Sequence, residues 1–275
     1  MSGRILIIPT PIGNLDDASP RMIASMRACD LLLCEDTRHT GKLLHLLGVD
    51  ARLESFHEHN ELGKLDAVLA RVEAGATIGI VSDAGMPLLS DPGFPLIRAA
   101  RERGITVVPI AGPSAILSAL AASGLAPMPF TFHGFPPQKK GERLEFYRRV
   151  ATVGTTAVVF ESPHRIVESL EDAQNALGDV RMTLARELTK MHEQIVHGTI
   201  SAVVSSLDRD SVRGEITLVF DAAATPQREL PAPDILRSEL TALRDKGLRR
   251  NDAVKVLAEK YGRGRNEIYK LLVDE

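Results

Sequence analysis

The sequence predicts an α/β fold made of two α/β domains, followed by a small helical domain. In the first half, short apolar runs rich in β-branched residues alternate with segments of helical periodicity. In the second half strand-like runs continue with fewer such alternations, and a Pro- and Ala-rich stretch separates the last segment of the chain. The predicted divisions are residues 1–124, residues 125–222, a linker at 223–234 and a helical appendage at 235–275.

The first domain is expected to hold a mainly parallel sheet. Its strands are predicted at residues 4–9, 30–34, 52–55, 77–81 and 105–110, and all of these except 52–55 are mainly apolar. Helices are predicted at 19–28, 38–47 and 60–73, and after each of the last two strands. In the third helix five apolar residues share one face: Leu62, Leu65, Val68, Leu69 and Val72. Strict alternation of strand and helix predicts a sheet covered on both faces.

The second domain begins after a boundary at Gly124–Pro129, where two prolines occur in a short span. Strands are predicted at residues 156–160, 182–185, 193–196 and 215–220, and helices at 164–177 and 201–207. Because fewer strand–helix–strand units follow one another, the pattern favours a mixed or antiparallel sheet.

The C-terminal appendage reads as three short helices at 235–246, 251–261 and 266–273. Between Arg237 and Lys270 there are ten Lys or Arg and five Asp or Glu, a local charge of +5 in a chain of net charge −3. A basic appendage on an acidic body predicts a contact with nucleic acid; the alternative is a solvated helical bundle without a partner. A second basic cluster comprises Lys139, Lys140, Arg143, Arg148 and Arg149.

The composition and the short apolar runs exclude several classes of protein and of site. Two cysteines, Cys29 and Cys34, are too few for a disulfide framework or a zinc site, which favours a reduced, cytoplasmic protein. The apolar run Ile5–Ile8 is too short for a signal peptide or a membrane span, so no membrane association is expected. His57 and His59 have no third ligand to join them, so no metal site is predicted.

Two loops that follow predicted strands indicate a small-molecule site. One runs through Ser82-Asp83-Ala84-Gly85-Met86 and the other through Ala111-Gly112-Pro113-Ser114-Ala115. The chain has neither a Gly-x-Gly-x-x-Gly motif after a strand nor a P-loop, which disfavours NAD, FAD and ATP. Asp83 can balance a cation and the helix start at Ser114 can hold a carboxylate, so a zwitterionic ligand such as S-adenosylmethionine suits the loops. The alternative for Asp83 is a turn-forming or N-cap residue.

Other strand ends carry charged residues suited to catalysis. Glu35, Asp36 and Arg38 follow the second strand, where the alternative is a helix N-cap with an acidic first turn. Glu161 ends another strand, and Arg186 and Lys190 follow a third, where surface ion pairs are the alternative.

These motifs together resemble a known family. They are Pro9-Thr10-Pro11-Ile12-Gly13-Asn14-Leu15, Cys34–Arg38, Ser55–Asn60, Ser82–Pro87, Ala111–Ala115, Glu161-Ser162-Pro163-His164-Arg165 and Ala185-Arg186-Glu187-Leu188-Thr189-Lys190. The chain is similar along nearly its whole length to the small-subunit ribosomal methyltransferases that 2′-O-methylate a cytidine, a branch of the tetrapyrrole methylase superfamily. The resemblance implies two α/β domains with S-adenosylmethionine in the cleft between them, a homodimer, and a cytidine in the decoding region of 16S rRNA or the small ribosomal subunit as target.

The resemblance also assigns residues. The cofactor-binding residues it implies are Pro11, Gly13, Asp83, Ala84, Gly85, Met86, Pro113, Ser114, Ala115, Leu188, Gly214 and Thr217. The catalytic candidates are Glu35, Asp36 and Glu161 as carboxylates, with Arg38, Arg186 and Lys190 as cations. Met86 departs from the family, where Thr is more common, and tetrapyrrole-acting relatives carry Gly-Asp-Pro in place of Asp83-Ala84-Gly85, which favours the RNA branch. Two other functions stay open: tetrapyrrole methylation and non-catalytic nucleic-acid binding.

Overall fold

The structure, a computed structural model, describes residues 3–208, 212–224, 232–261 and 265–273. The chain separates into two compact units. Unit one comprises Met1–Gly124, Leu184–Val196 and Gly214–Leu218; unit two comprises Leu125–Thr183, His197–Arg213 and Val219–Glu275. The domain limits predicted above stay a prediction.

Unit one is built on a parallel sheet. Its strands are β1 (Arg4–Ile8), β2 (Leu31–Cys34), β3 (Leu53–Ser55), β4 (Thr77–Val81) and β5 (Thr106–Pro109). Their order across the sheet is β3-β2-β4-β1-β5, and every neighbouring pair is parallel. The prediction of a parallel sheet is therefore confirmed, with β1 and β4 at its centre and their carboxyl ends side by side.

Helices cover both faces of this sheet. They are α1 (Pro20–Arg27), α2 (Thr37–Leu46), α3 (Glu61–Glu73), α4 (Phe94–Glu102) and α5 (Ala115–Ala122). Along β1, Ile5 and Ile7 join a core with residues of α3 and α4, whereas Leu6 and Ile8 join a core with residues of α1 and α2. Because side chains alternate along a strand, a run apolar at every position buries both faces.

The second sheet contains β6 (Phe130–Phe132), β7 (Thr156–Glu161), β8 (Arg181–Arg186), β9 (Gln194–Thr199) and β10 (Ile216–Asp221). Their order is β6-β7-β10-β8-β9, and β6 pairs with β7 in parallel, so the sheet is not wholly antiparallel. The accompanying helices are α6 (Lys140–Val153), α7 (Ile166–Leu177) and α8 (Ile200–Ser206).

Two of these elements are not predicted from the sequence. For the segment that holds β6 and α6, the sequence predicts only a domain boundary and a basic cluster. In the structure α6 buries one face with Arg143, Phe146, Tyr147 and Val150, a helical spacing that begins with a charged residue. The basic residues of the cluster are therefore divided between a buried and an exposed face of one helix.

The C-terminal segment forms the three predicted helices, α9 (Pro233–Asp245), α10 (Arg250–Tyr261) and α11 (Arg265–Val273). They share a small apolar core that includes Leu236, Val254, Leu257, Ile268 and Leu272. Residues 225–231 of the predicted linker lie outside the described residues. Within the described ranges, no helix has the length and apolar character needed to cross a membrane.

Candidate functional site

The loops that follow β1 and β4 are joined directly. Thr10 and Gly85 exchange two backbone hydrogen bonds, of 2.9 Å and 3.1 Å between N and O. The buried Thr10 hydroxyl donates to the Ser82 carbonyl at 3.1 Å, and the Ser82 hydroxyl donates to the Gly85 carbonyl at 2.7 Å. The two central strands therefore end in one cross-linked loop pair at the carboxyl edge of the sheet, where open α/β sheets bind ligands.

Glycines let the loop after β5 approach this pair. Gly85 adopts a left-handed φ of +81°, and a Cβ added there would lie 3.2 Å from Ile12 and 3.8 Å from the Pro113 carbonyl. A Cβ at Gly112 would lie 2.4 Å from the ring of Pro9. Close backbone packing thus brings the predicted residues Gly85 and Pro113 together and places Gly85 against Ile12.

This group of loops offers one position suited to an anionic ligand group and one suited to a cationic ligand group. Ser114 is the N-cap of α5 and accepts a hydrogen bond from the Leu117 amide, so the helix begins at the predicted residue. The first amides of a helix have no intrahelical acceptor and attract anions. The Oδ1 atom of Asp83 is buried and has no hydrogen-bond partner among the described residues. An orphaned buried carboxylate oxygen is costly, and a cationic ligand group would satisfy it.

A carboxylate that the sequence does not single out lies in the same region. Burial, followed by the charges of Glu35 and Asp83, raises the pKa of Asp91 from 3.8 to about 7. Asp91 follows Ser90, which has a left-handed φ of 72° unusual for a non-glycine residue. The only sequence signal is its place in a Pro- and Gly-marked loop after a strand.

In the Glu35–Asp36–Arg38 segment, Asp36 makes the capping hydrogen bonds of the helix that follows. Asp36 is the N-cap of α2, and its Oδ1 accepts from the Arg38 amide at 2.8 Å and the His39 amide at 3.4 Å. The hydrogen bond from the Arg38 amide is the main reason that the pKa of Asp36 is lowered. The Arg38 guanidinium lies 3.4 Å from Asp36 and is 88% exposed. Glu35 is exposed and is the member of this segment whose charge acts on Asp91.

The loop after β8 packs on the loop after β1, although the two are far apart in sequence. The Asn14 amide donates to the Thr189 hydroxyl at 3.0 Å. A Cβ at Gly13 would lie 2.4 Å from the Lys190 side chain and 3.0 Å from the Leu188 carbonyl, so only glycine allows this approach. Predicted cofactor residues Gly13 and Leu188 are therefore neighbours within unit one.

Gly214 and Lys190 belong to the same neighbourhood. Gly214 has a φ of +87°, and a Cβ there would collide with the Glu187 side chain at 2.1 Å. Lys190 contacts Glu187 Oε1 at 2.8 Å and Glu215 Oε2 at 3.2 Å. Burial lowers the pKa of Lys190, but these two carboxylates outweigh it and raise the pKa. Lys190 is thus an ion-paired residue, and Thr217 is buried in β10.

The remaining catalytic candidates lie in two different units. Arg186, in unit one, has a buried Nε atom without a hydrogen-bond partner in the described chain. Glu161, in unit two, is 2% exposed. Its Oε1 accepts from the Ser162 amide and from Arg165, each at 2.7 Å, whereas its Oε2 has no partner among the described residues.

No group of three or more His, Cys, Asp and Glu side chains in the described ranges is arranged to hold a metal ion. His57 instead contacts Asn60, whose amide nitrogen lies 2.9 Å from the imidazole Nε2.

The sequence matches the model of the Tetrapyrrole (Corrin/Porphyrin) Methylases over residues 4–204. It is 40% identical to the ribosomal RNA small subunit methyltransferase I of Synechocystis sp., covering 99% of this chain and 98% of that protein. The Escherichia coli O157:H7 protein of the same name is also 40% identical, covering 99% and 96%. The chain belongs to the ribosomal RNA small subunit methyltransferase I family, within the tetrapyrrole methylases.

Solved structures support the family's fold. The chain superposes on a diphthine synthase with a TM-score of 0.61 at 12% identity, covering 78% of this chain and 89% of that one. A uroporphyrin-III-C-methyltransferase from Thermus thermophilus gives a TM-score of 0.53 at 15% identity, covering 80% and 96%. At these identities the likeness concerns the fold alone.

Methyltransferases of the tetrapyrrole methylase family use S-adenosylmethionine. The residues of unit one fit its amino-acid end, because the unpaired Asp83 oxygen suits an ammonium group and the start of α5 suits a carboxylate. Met86 offers no side-chain hydroxyl in this loop.

Proposed function

We propose that this chain transfers a methyl group from S-adenosylmethionine to the 2′-hydroxyl of a cytidine in the decoding region of small-subunit rRNA. The observation that carries the proposal is the joining of the loops after β1, β4 and β5, the second of which holds the buried oxygen of Asp83 that has no partner among the described residues. The substrate is supported by full-length similarity to proteins named as small-subunit rRNA methyltransferases.

The bound cofactor supplies a methyl group on a sulfonium, an electrophile ready for in-line displacement. The chain must therefore hold the ribose hydroxyl in line and take up its proton. Asp91, with a pKa of about 7 beside Glu35 and Asp83, is matched to proton transfer at neutral pH. We assign proton acceptance to the Glu35–Asp91 pair. Asp36 keeps a positioning role, because its lowered pKa and its N-cap hydrogen bonds commit it to α2.

Arg186 is the proposed anchor for substrate phosphate. Its buried Nε lacks a partner in the described chain, whereas Lys190 is held by Glu187 and Glu215 and Arg38 lies beside Asp36. A guanidinium can bind phosphate through two parallel hydrogen bonds. We expect Arg186→Ala to lower the single-turnover methylation rate by at least about 10²-fold, a size typical of positioned catalytic groups, with little change in cofactor affinity.

The control for Arg186→Ala is Arg98→Ala, which removes an exposed arginine that pairs with Glu102 on the surface of α4. It should leave the rate unchanged. Each variant is assayed with a labelled methyl donor and RNA from small or large ribosomal subunits. Transfer confined to small-subunit RNA supports the proposal, and a wild-type chain that binds the donor but methylates neither RNA contradicts it.

The helical appendage is proposed to bind RNA. Its Arg244, Lys246 and Arg249 are exposed around the turn between α9 and α10, so several cations are available to phosphate. Removing residues 235–275 should leave cofactor binding intact and weaken the RNA complex. The slope of log affinity against log salt should shrink by roughly 0.7–0.9 per lost phosphate contact. An unchanged RNA affinity at several salt concentrations would instead favour the solvated bundle.

We further propose that the protein acts as a homodimer, as the family resemblance implies. Sedimentation of the full chain at micromolar concentration checks this, and a single monomeric species would contradict it.

A further inference from the structure

The loop at residues 133–138, here called the aromatic loop, presents a phenyl ring to solvent. It connects β6 to α6 in unit two and has the sequence His-Gly-Phe-Pro-Pro-Gln. The Phe135 side chain is 53% exposed in a chain with only 4% aromatic residues. Isolated exposed apolar residues are common, so exposure alone assigns no role.

The ring of Phe135 is supported by other aromatic rings. Its centroid lies 5.4 Å from that of Phe160 at a tilt of 52°, and Phe160 in turn makes an edge contact with Phe132 at 4.9 Å. Such distances are those of attractive aromatic pairs. Phe135 is thus an exposed ring that packs against the partly buried ring of Phe160, which in turn packs against Phe132.

Two arginines fix the backbone on the C-terminal side of this ring. Arg165 donates to the Pro136 carbonyl at 3.2 Å and is itself held by the buried Glu161. Arg143 donates to the Gln138 carbonyl at 3.0 Å, and its Nε contacts Asp172 at 2.8 Å. Arg143 and Asp172 are each 2% exposed.

The N-terminal side of the loop is fixed by the neighbouring strand. The His133 amide donates to the Val158 carbonyl at 3.0 Å, and the Phe160 amide donates to the Gly134 carbonyl at 2.9 Å. Buried charge pairs are energetically demanding, and here the buried Arg143–Asp172 pair and the partly buried Arg165–Glu161 pair hold carbonyls of a surface loop. The exposed ring is therefore pre-organised, which reduces the entropy lost when a ligand binds it.

Positive charge surrounds the aromatic loop. Lys139, the next residue, is 82% exposed and pairs with Glu142 at the surface. Lys140 and Arg149 are exposed and take part in no ion pair within the described ranges. Burial, and then the charge of Arg149, lowers the pKa of His133, which places Arg149 near the loop. A fixed aromatic face beside free cations is the chemistry that recognises an unstacked base and its phosphates.

We propose that Phe135 stacks on an unpaired nucleobase of the RNA substrate. The inference rests on the proposed function, since it takes RNA as the substrate. It assigns Glu161 and Arg143 a positioning role through the aromatic loop. A second copy of the chain or an apolar protein partner would need a wider apolar surface than one ring among lysines and arginines provides.

The chain contains no tryptophan, so Phe135→Trp introduces a single fluorescent reporter at this position. The probes are small ribosomal subunits that lack the methylation and a short single-stranded oligocytidylate. We expect either RNA to quench the indole emission of this variant, because a stacked base quenches indole. We expect Phe135→Ala and Phe135→Leu to weaken binding of the subunits by about 5- to 150-fold, the range for loss of one base–aromatic stack. Phe135→Trp should retain wild-type affinity.

The matched control is Val153→Ala, which trims another exposed apolar side chain of unit two, 47% exposed at the end of α6. It should leave RNA affinity unchanged. Thermal melts check that the variants are folded. We expect unchanged melting temperatures, because an exposed ring contributes little to the core. Wild-type RNA affinity in Phe135→Ala, or unquenched emission in the bound Phe135→Trp protein, overturns the proposal.

Two further outcomes separate this proposal from others. If Phe135→Ala changes the sedimentation of the free protein, the ring belongs to an interface between copies and the proposal is wrong. If wild type binds RNA and the Phe135→Trp emission is quenched normally, yet no methyl group reaches rRNA, the proposed function fails while the stacking site stands.

Discussion

Substituting Asp91 with Asn tests the electrostatics of the candidate site without touching any hydrogen bond described for this carboxyl. In the unfolded chain this group ionises near pH 4, but in the fold it keeps its proton to about pH 7, because burial and the charges of Glu35 and Asp83 oppose ionisation. Below pH 4 the carboxyl is neutral in both states and costs nothing. Above pH 7 the fold carries the full penalty, so wild-type stability falls as the pH rises between these limits.

The size of this penalty follows from the shift. Three pKa units correspond to about 4 kcal/mol, and partial exposure of Asp91 reduces this by screening to about 2 kcal/mol. Asn cannot ionise, so Asp91→Asn should be more stable than wild type by about 2 kcal/mol at pH 8 and by less than about 0.5 kcal/mol at pH 3.5.

The assay is urea unfolding followed by circular dichroism at the two pH values. The control is Asp50→Asn, a substitution at an exposed aspartate, which should change the free energy of unfolding by no more than about 0.5 kcal/mol at either pH. An Asp91→Asn protein that gains the same stability at both pH values, or loses stability at pH 8, would refute the argument that Asp91 is destabilised by its neighbours.

Three other substitutions test separate parts of the account. Arg143→Met leaves Asp172 buried without its partner, so we expect a loss of about 3–5 kcal/mol in urea unfolding; a loss below about 1 kcal/mol would contradict the burial of this pair. Gly85→Ala forces a side chain into a left-handed backbone, and calorimetry should find weaker S-adenosylmethionine binding together with about 1–2 kcal/mol lower stability; unaltered binding would separate this loop from the cofactor. Asp36→Ala removes the α2 cap and should lower the melting temperature at pH 7, with the difference narrowing as the pH falls below about 4 and through the lowered folded pKa of Asp36; a difference independent of pH would argue against a charged cap.

Periodicity in the sequence is enough to predict the first sheet, because the apolar runs of β1, β2 and β4 bury both faces. It does not reveal β6, which has three residues, or α6. The buried face of α6 begins with Arg143. This charged side chain is buried there together with its ion-pair partner Asp172, which belongs to another helix, α7. Such a long-range charge pair leaves no periodic signal.

In the candidate site, too, the sequence predicts some features and not others. The loop motifs are recognisable because they follow strands, and the structure joins Asp83–Gly85 to the loops that precede α1 and α5. Sequence cannot predict that Gly13 contacts the Leu188–Lys190 loop, or that Asp91 shares a region with Glu35 and Asp83, because these contacts depend on folding. The role proposed for Asp36 changes for a local reason, since N-cap geometry uses its carboxylate.

The central claim is that this chain methylates a ribose hydroxyl of a cytidine in small-subunit rRNA. The direct measurement is mass spectrometry of nucleosides and of mapped fragments, after incubation of the full chain with isotopically labelled S-adenosylmethionine and small ribosomal subunits that lack the modification. We expect label in 2′-O-methylcytidine at a single position in the decoding region. Label in a base-methylated nucleoside, label spread over many positions, or no transfer by a chain that binds the cofactor would contradict it.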